Sequence, residues 1–95
     1  MTIKKDNKMS SVEIFLYLRQ RLLSAREQKD INTLMQIGSV SDILLDLAYT
    51  KNSREVGAIL ENFESAVRDS IQGVDWKSII PTEEEIYLAL NNEIE

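Results

Sequence analysis

Two pairs of carboxylates stand at helical spacing in this 95-residue chain, Asp42 with Asp46 and Glu61 with Glu64. Acidic side chains three or four residues apart project from one face of a helix, and two such helices together can hold Mg²⁺ through oxygen ligands. Few other routes to chemistry are open. The chain has no histidine and no cysteine. That removes the imidazole general base, the nucleophile–base pairs built on it and nearly every transition-metal site. A reaction would have to run through carboxylates, hydroxyls, Lys, Arg or Tyr.

The order of the acidic motifs speaks against a metal reaction. Helical nucleotide pyrophosphatases place an ExxE ahead of an ExxD. Here the ExxD, Glu27 to Asp30, precedes the ExxE, Glu61 to Glu64. There is no EF-hand loop, no glycine-rich phosphate loop and no ExxH pair for a di-iron site. The carboxylate pairs therefore read as solvated helix faces. No metal or cofactor is expected, and the chain is expected not to be an enzyme.

Charge is sorted along the chain. Residues 1–29 hold seven of the 11 Lys and Arg but three of the 16 Asp and Glu, a local balance of +4. The remainder stands at −9 and the whole at −5. Such a balance opposes adhesion to nucleic acid or anionic lipid and favours basic partners. Arg19 and Arg26 share a helix face near the basic start, but no aromatic platform is interleaved with them, so no direct nucleic-acid binding is expected. The longest apolar run, Ile14–Leu18, is far too short to span a bilayer. Lys4, Lys5 and Lys8 imitate the start of a secretion signal, yet no small-residue cleavage site follows, so a cytoplasmic protein is expected, with no membrane contact.

The elements that must position these groups are helical. A hydrophobic content of 43% suits a packed domain, and a chain of this length buries roughly two-thirds of its unfolded surface. Residues 1–9 are predicted to be a flexible tail and residues 10–95 a single helical domain. Ser10 and Glu13 have capping-box spacing, with Met9 and Ile14 placed as a hydrophobic staple. A first helix should run to about Gln28 with Ile14, Phe15, Leu18, Leu22 and Ala25 inward. Val12, Leu16, Tyr17 and Leu23 broaden its stripe enough for cover on more than one side. Asp30 should cap a short second helix that Gly38 ends. Ser39 or Ser41 should begin a third, with Ile43, Leu44, Leu47 and Ala48 inward and Asn52 as its stop. A fourth, capped by Asn52 or Ser53, should present Val56, Ile59, Leu60, Phe63, Val67 and Ile71 on one face. Its Glu64 and Arg68 have the favoured i,i+4 spacing, Gly57 suggests close approach of a crossing backbone, and Gly73 closes it. Asp75 could cap a single turn from Trp76 to Ile79, which Pro81 interrupts. Thr82 and Glu85 repeat the capping-box spacing ahead of a last helix carrying Ile86, Leu90 and Ile94. The predicted fold is an all-α, small single-domain bundle of four to five helices with short connections.

The candidate interface is the acidic C-terminal stretch. Glu83, Glu84 and Glu85 in succession exceed what one helix start needs, and Asp75 and the sole tryptophan, Trp76, lie beside them. Glu61 and Glu64 are further candidates. Tyr17, Tyr49 and Tyr87 read as core-edge residues with wet hydroxyls. Size, acidity and missing catalytic chemistry together resemble, in class alone, the immunity proteins that bacteria pair with nuclease toxins. That resemblance implies an acidic inhibitor that covers the cleft of a basic protein, as a monomer or as a heterodimer with its partner. Two alternatives remain. One is a small assembly or secretion chaperone or oligomer subunit, suggested by the greasy first helix; the other is a transcription or nucleic-acid-associated regulator. An inhibitor should bind in a steeply salt-dependent way, whereas an assembly subunit should self-associate with little regard to salt.

Overall fold

The computed structural model describes residues 11–73 and 80–94, which form four helices: α1 (Ser11–Gln28), α2 (Ile31–Thr50), α3 (Arg54–Gln72) and α4 (Glu83–Ile94). No strand occurs among the described residues. The predicted tail 1–9, the Ser10 cap with its Met9 staple, and the Asp75-capped turn with Trp76 all lie outside them.

Local chemistry accounts for most of the helix ends. α1 closes where Lys29 turns left-handed (φ 57°), and the Asp30 amide then donates to the Ala25 carbonyl at 2.9 Å. A non-glycine residue in that region costs on the order of 1 kcal/mol. Asp30 starts α2, as its position predicts: its carboxylate accepts from the Thr33 amide (3.2 Å) and the Thr33 hydroxyl (2.7 Å). These bonds hold the Asp30 carboxyl below the ordinary carboxylate range, the Thr33 hydroxyl contributing most. Asn52, left-handed at φ 61°, follows the end of α2, and Ser53 precedes α3. Gly73 (φ 81°) closes α3 as expected.

The chain differs from its predicted course at Gly38. α2 runs unbroken through it for 20 residues, so the expected second and third helices are one. The reason is packing. Gly38 keeps helical backbone beside Val67 of α3, and a Cβ added there would stand 3.4 Å from Val67 Cγ1, an ordinary van der Waals contact. Continuity then resets the phase of the whole helix. Leu34, Ile37, Ser41 and Ala48 face the core, and Leu44 and Leu45 are half-buried. Ile43 and Leu47, expected inward, are turned out, 69% and 52% exposed. Gly57 is close to α2 as well, but its neighbours at 3.3 and 3.7 Å are the Tyr49 ring and a Leu45 methyl, not a crossing backbone.

One core joins all four helices. α3 is its spine, with Ile59, Leu60, Phe63, Ala66 and Val67 buried along one face. Its most extensive contact is with α2, and it also packs on α4 and α1. Phe63 is fully buried and meets Phe15 of α1 edge to face, ring centres 6.4 Å apart. Leu22, Leu34 and Ile86 complete the centre from α1, α2 and α4. Val12, Leu16 and Leu23 are partly buried against it, which gives α1 some of its expected second-side cover, while Ile14 and Tyr17 stay exposed.

Replacing Gly38 by Ala separates a helix interior from a helix stop. In a continuous α2 the change is expected to stabilise the protein by up to about 1 kcal/mol, read as a raised urea midpoint. A fall in the midpoint would mean that Gly38 occupies a conformation or a contact that excludes a methyl group.

Candidate functional site

The two acidic pairs of the sequence meet in the fold. α2 and α3 are joined by a connection of three residues, 51–53, and run antiparallel. Positions about equally far from that turn therefore face one another. Asp42 and Glu64 line one groove between the helices and come within hydrogen-bonding reach of each other. One turn along, Asp46 follows Asp42 on α2, and the Tyr49 hydroxyl donates to the Glu61 carboxylate. Asp42, Glu64 and Glu61 thus lie close together across the seam between the two helices, with Asp46 exposed one turn beyond Asp42 on α2.

Their environment is not balanced. Partial burial pushes the Glu64 carboxyl up, and the hydrogen bond and negative charge of Asp42 push it further; Glu61 adds to this, while Arg68 opposes it without prevailing. The i,i+4 neighbour Arg68 does act on Glu64, but its guanidinium also donates to Ser65 Oγ at 3.3 Å. The Tyr49 hydroxyl is raised as well, mainly by its bond to Glu61. The carboxylates lie along the seam instead of converging, and among the described residues no group of three or more forms a cage for a metal ion. What the seam offers is an exposed line of negative charge.

Next to it lies a cavity of about 500 Å³. Gly38 and Val67 line its centre, Met35 and Ile71 stand on α2 and α3, and Asp42, Glu64 and Arg68 supply its polar part. Met35 and Ile71 are both exposed, the first by 58% and the second by 42%. The groove could hold an apolar side chain with a cation reaching toward the acids.

The α4 glutamates are placed differently. Glu83 pairs with Arg19 (3.8 Å), whose Nε also donates to the Pro81 carbonyl at 2.8 Å. Glu85 accepts from the Thr82 amide at 2.9 Å while its own amide donates to Thr82 Oγ1 at 3.1 Å, the capping box that the sequence predicts. Glu85 thus caps the start of α4 and Glu83 makes a long surface pair with Arg19, while Glu83, Glu84 and Glu85 are all exposed. Asp75 and Trp76 lie outside the described residues. Tyr17, Tyr49 and Tyr87 are about half-exposed at the edge of the bundle.

Reading each helix alone missed that Asp42 and Glu64 would be neighbours. The signal was there: each lies about ten residues from the same short turn. No helix among the described residues is long and apolar enough to cross a membrane. No protein-family model, curated protein or solved structure matches the chain.

The Glu64 environment has a consequence for stability. Its carboxyl titrates higher folded than unfolded, so the folded form binds a proton more readily in the window just above the ordinary value of 4.5. Glu64 should therefore weaken the fold as pH rises through that window, the penalty being full above the folded titration point. Glu64→Gln is expected to match the wild type at low pH and to exceed it in urea midpoint near neutrality. Equal midpoints at every pH would mean that the fold does not raise the Glu64 carboxyl.

Proposed function

We propose that the protein is a non-enzymatic, acidic protein-binding protein. It covers a basic surface on another protein, as an inhibitor of the immunity type does to a nuclease toxin, and it acts in the cytoplasm. The observation that carries this reading is the approach of Asp42 on α2 to Glu64 and Glu61 on α3, with exposed Asp46 one turn beyond Asp42. A lone acidic pair on one helix is a solvated face. Acids brought together from two helices, with Glu64 pressed against Asp42, concentrate negative potential that an incoming Lys or Arg would relieve. The groove between Met35 and Ile71 adds an apolar contact beside the charges.

The interface assigned here is α2–α3, with the exposed Glu84 on α4 as a secondary contribution. Glu83 and Glu85 are committed to Arg19 and to the Thr82 cap, so reversing them would disturb α4 as well as charge.

The test is affinity capture from the source cell with wild-type protein and with Asp42→Lys/Asp46→Lys, each at low and at high salt. Both positions are solvent-exposed, so helical content should be unchanged. The reading expects a basic protein held by the wild type at low salt, released as salt rises, and reduced at least tenfold with the double variant, a loss of about 1.4 kcal/mol or more. Retention that ignores both salt and charge reversal would contradict it.

A further inference from the structure

The strongest unassigned feature is on the other side of α2. Val40, Ile43 and Leu47 recur at helical spacing on its outer face and are 41%, 69% and 52% exposed, with half-buried Leu44 beside them. α1 adds Ile14 (38% exposed) and, one turn on, Tyr17 (54%). The two helices are contiguous here, because Ile14, Leu44 and Leu47 line the same hollow of about 260 Å³, which Phe15, Val56 and Leu90 help to enclose. A side chain of an incoming surface could seat there.

From this face we infer that two copies of the chain associate through the outer sides of α1 and α2. The inference goes beyond the proposed binding function and does not depend on it.

Three observations favour a second copy as the occupant. The first is self-complementarity. Val40, Ile43, Leu44 and Leu47 are spaced symmetrically about the point between Ile43 and Leu44. A twofold axis through that point, perpendicular to α2, lays Val40 of one copy over Leu47 of the other and Ile43 over Leu44, as an isologous interface requires. The second is area. A standard interface takes about 800 Å² from each partner, rather more than half of it apolar. Five large side chains leaving on the order of 100 Å² each in water meet that need and sit at the upper end of what a monomer exposes. The third is charge. Each copy carries −5, so most faces repel one another. This stripe holds no acid at its contact positions, and Arg21 and Lys51 stand one turn beyond Tyr17 and Leu47. Asp42 belongs to the groove on the α3 side, which the dimer leaves open.

The experiment is sedimentation equilibrium of the full chain from low micromolar to sub-millimolar concentration, at low and high salt. Wild type, Ile43→Glu and Leu88→Glu are compared, with circular dichroism on each. Ile43 and Leu88 are both well exposed, so neither change should disturb folding. Wild type is expected to approach twice the chain mass, with the dimer kept in high salt; Ile43→Glu should weaken the dimer at least tenfold, and Leu88→Glu on α4 should leave it intact. A monomeric wild type throughout, a dimer indifferent to Ile43→Glu, or one abolished equally by Leu88→Glu would each overturn the inference. None of these outcomes turns on a basic partner, so failure here is distinct from failure of the acidic seam.

Discussion

Everything in this fold depends on the burial of one face of α3. Without disulfides or His/Cys-bound metal, a chain this small must draw its stability from apolar packing. α3, like α1, reaches all three other helices, and its contact with α2 is the most extensive among the four. Phe63 lies at its centre, fully buried, against Phe15 and among Leu22, Leu34, Leu60 and Ile86. Truncating such a phenylalanine costs about 3–5 kcal/mol in well-packed cores, a large share of what a small domain has. The surface chemistry is therefore subordinate to the packing: acids and exposed apolar groups lie where the phase of each helix leaves them.

α2 shows this most clearly. Its inward face is set by Leu34, Ile37, Ser41 and Ala48, with Gly38 in helical backbone beside Val67 of α3. Once that face is fixed, Asp42 falls on the flank toward α3, Leu44 and Leu47 border α1, and Val40 and Ile43 lie on the outer face. A single rotational setting thus leaves both an acidic edge and an apolar outer stripe on one helix. Seam and stripe would respond to opposite conditions, the first weakening with salt and the second indifferent to it.

Much of this was legible in the residues. The Asp30 cap, the Thr82–Glu85 capping box, the Gly73 stop and the apolar face of α3 as far as Val67 follow from short-range rules and stand in the structure as those rules predict, whereas Ile71, expected on that face, is exposed. What failed was Gly38. Glycine before two serines reads as a stop, and what overrides it, the burial of Leu34 and Ile37 before Gly38 and of Ser41 and Ala48 after it on one face, is a property of the packed bundle. That misreading carried Ile43 and Leu47 into the core, since a helix begun at Ser39 or Ser41 has no register to inherit from Leu34. The left-handed Lys29 had no compositional sign at all. The pairing of Asp42 with Glu64 needed only the antiparallel geometry of a short turn, and the Arg19–Glu83–Pro81 contacts needed tertiary structure.

The central claim is that α2 is one helix whose register is dictated by α3. Amide hydrogen exchange across Gly38 tests it most directly. In a continuous helix the amides of Ser39, Val40 and Ser41 donate to carbonyls one turn earlier, so they should be as slow to exchange as those of Leu44 and Leu45. Amides at the start of a new helix have no such partners. Rapid exchange confined to Ser39–Ser41, between two protected segments, would contradict the account and with it the placement of both the acidic seam and the apolar stripe.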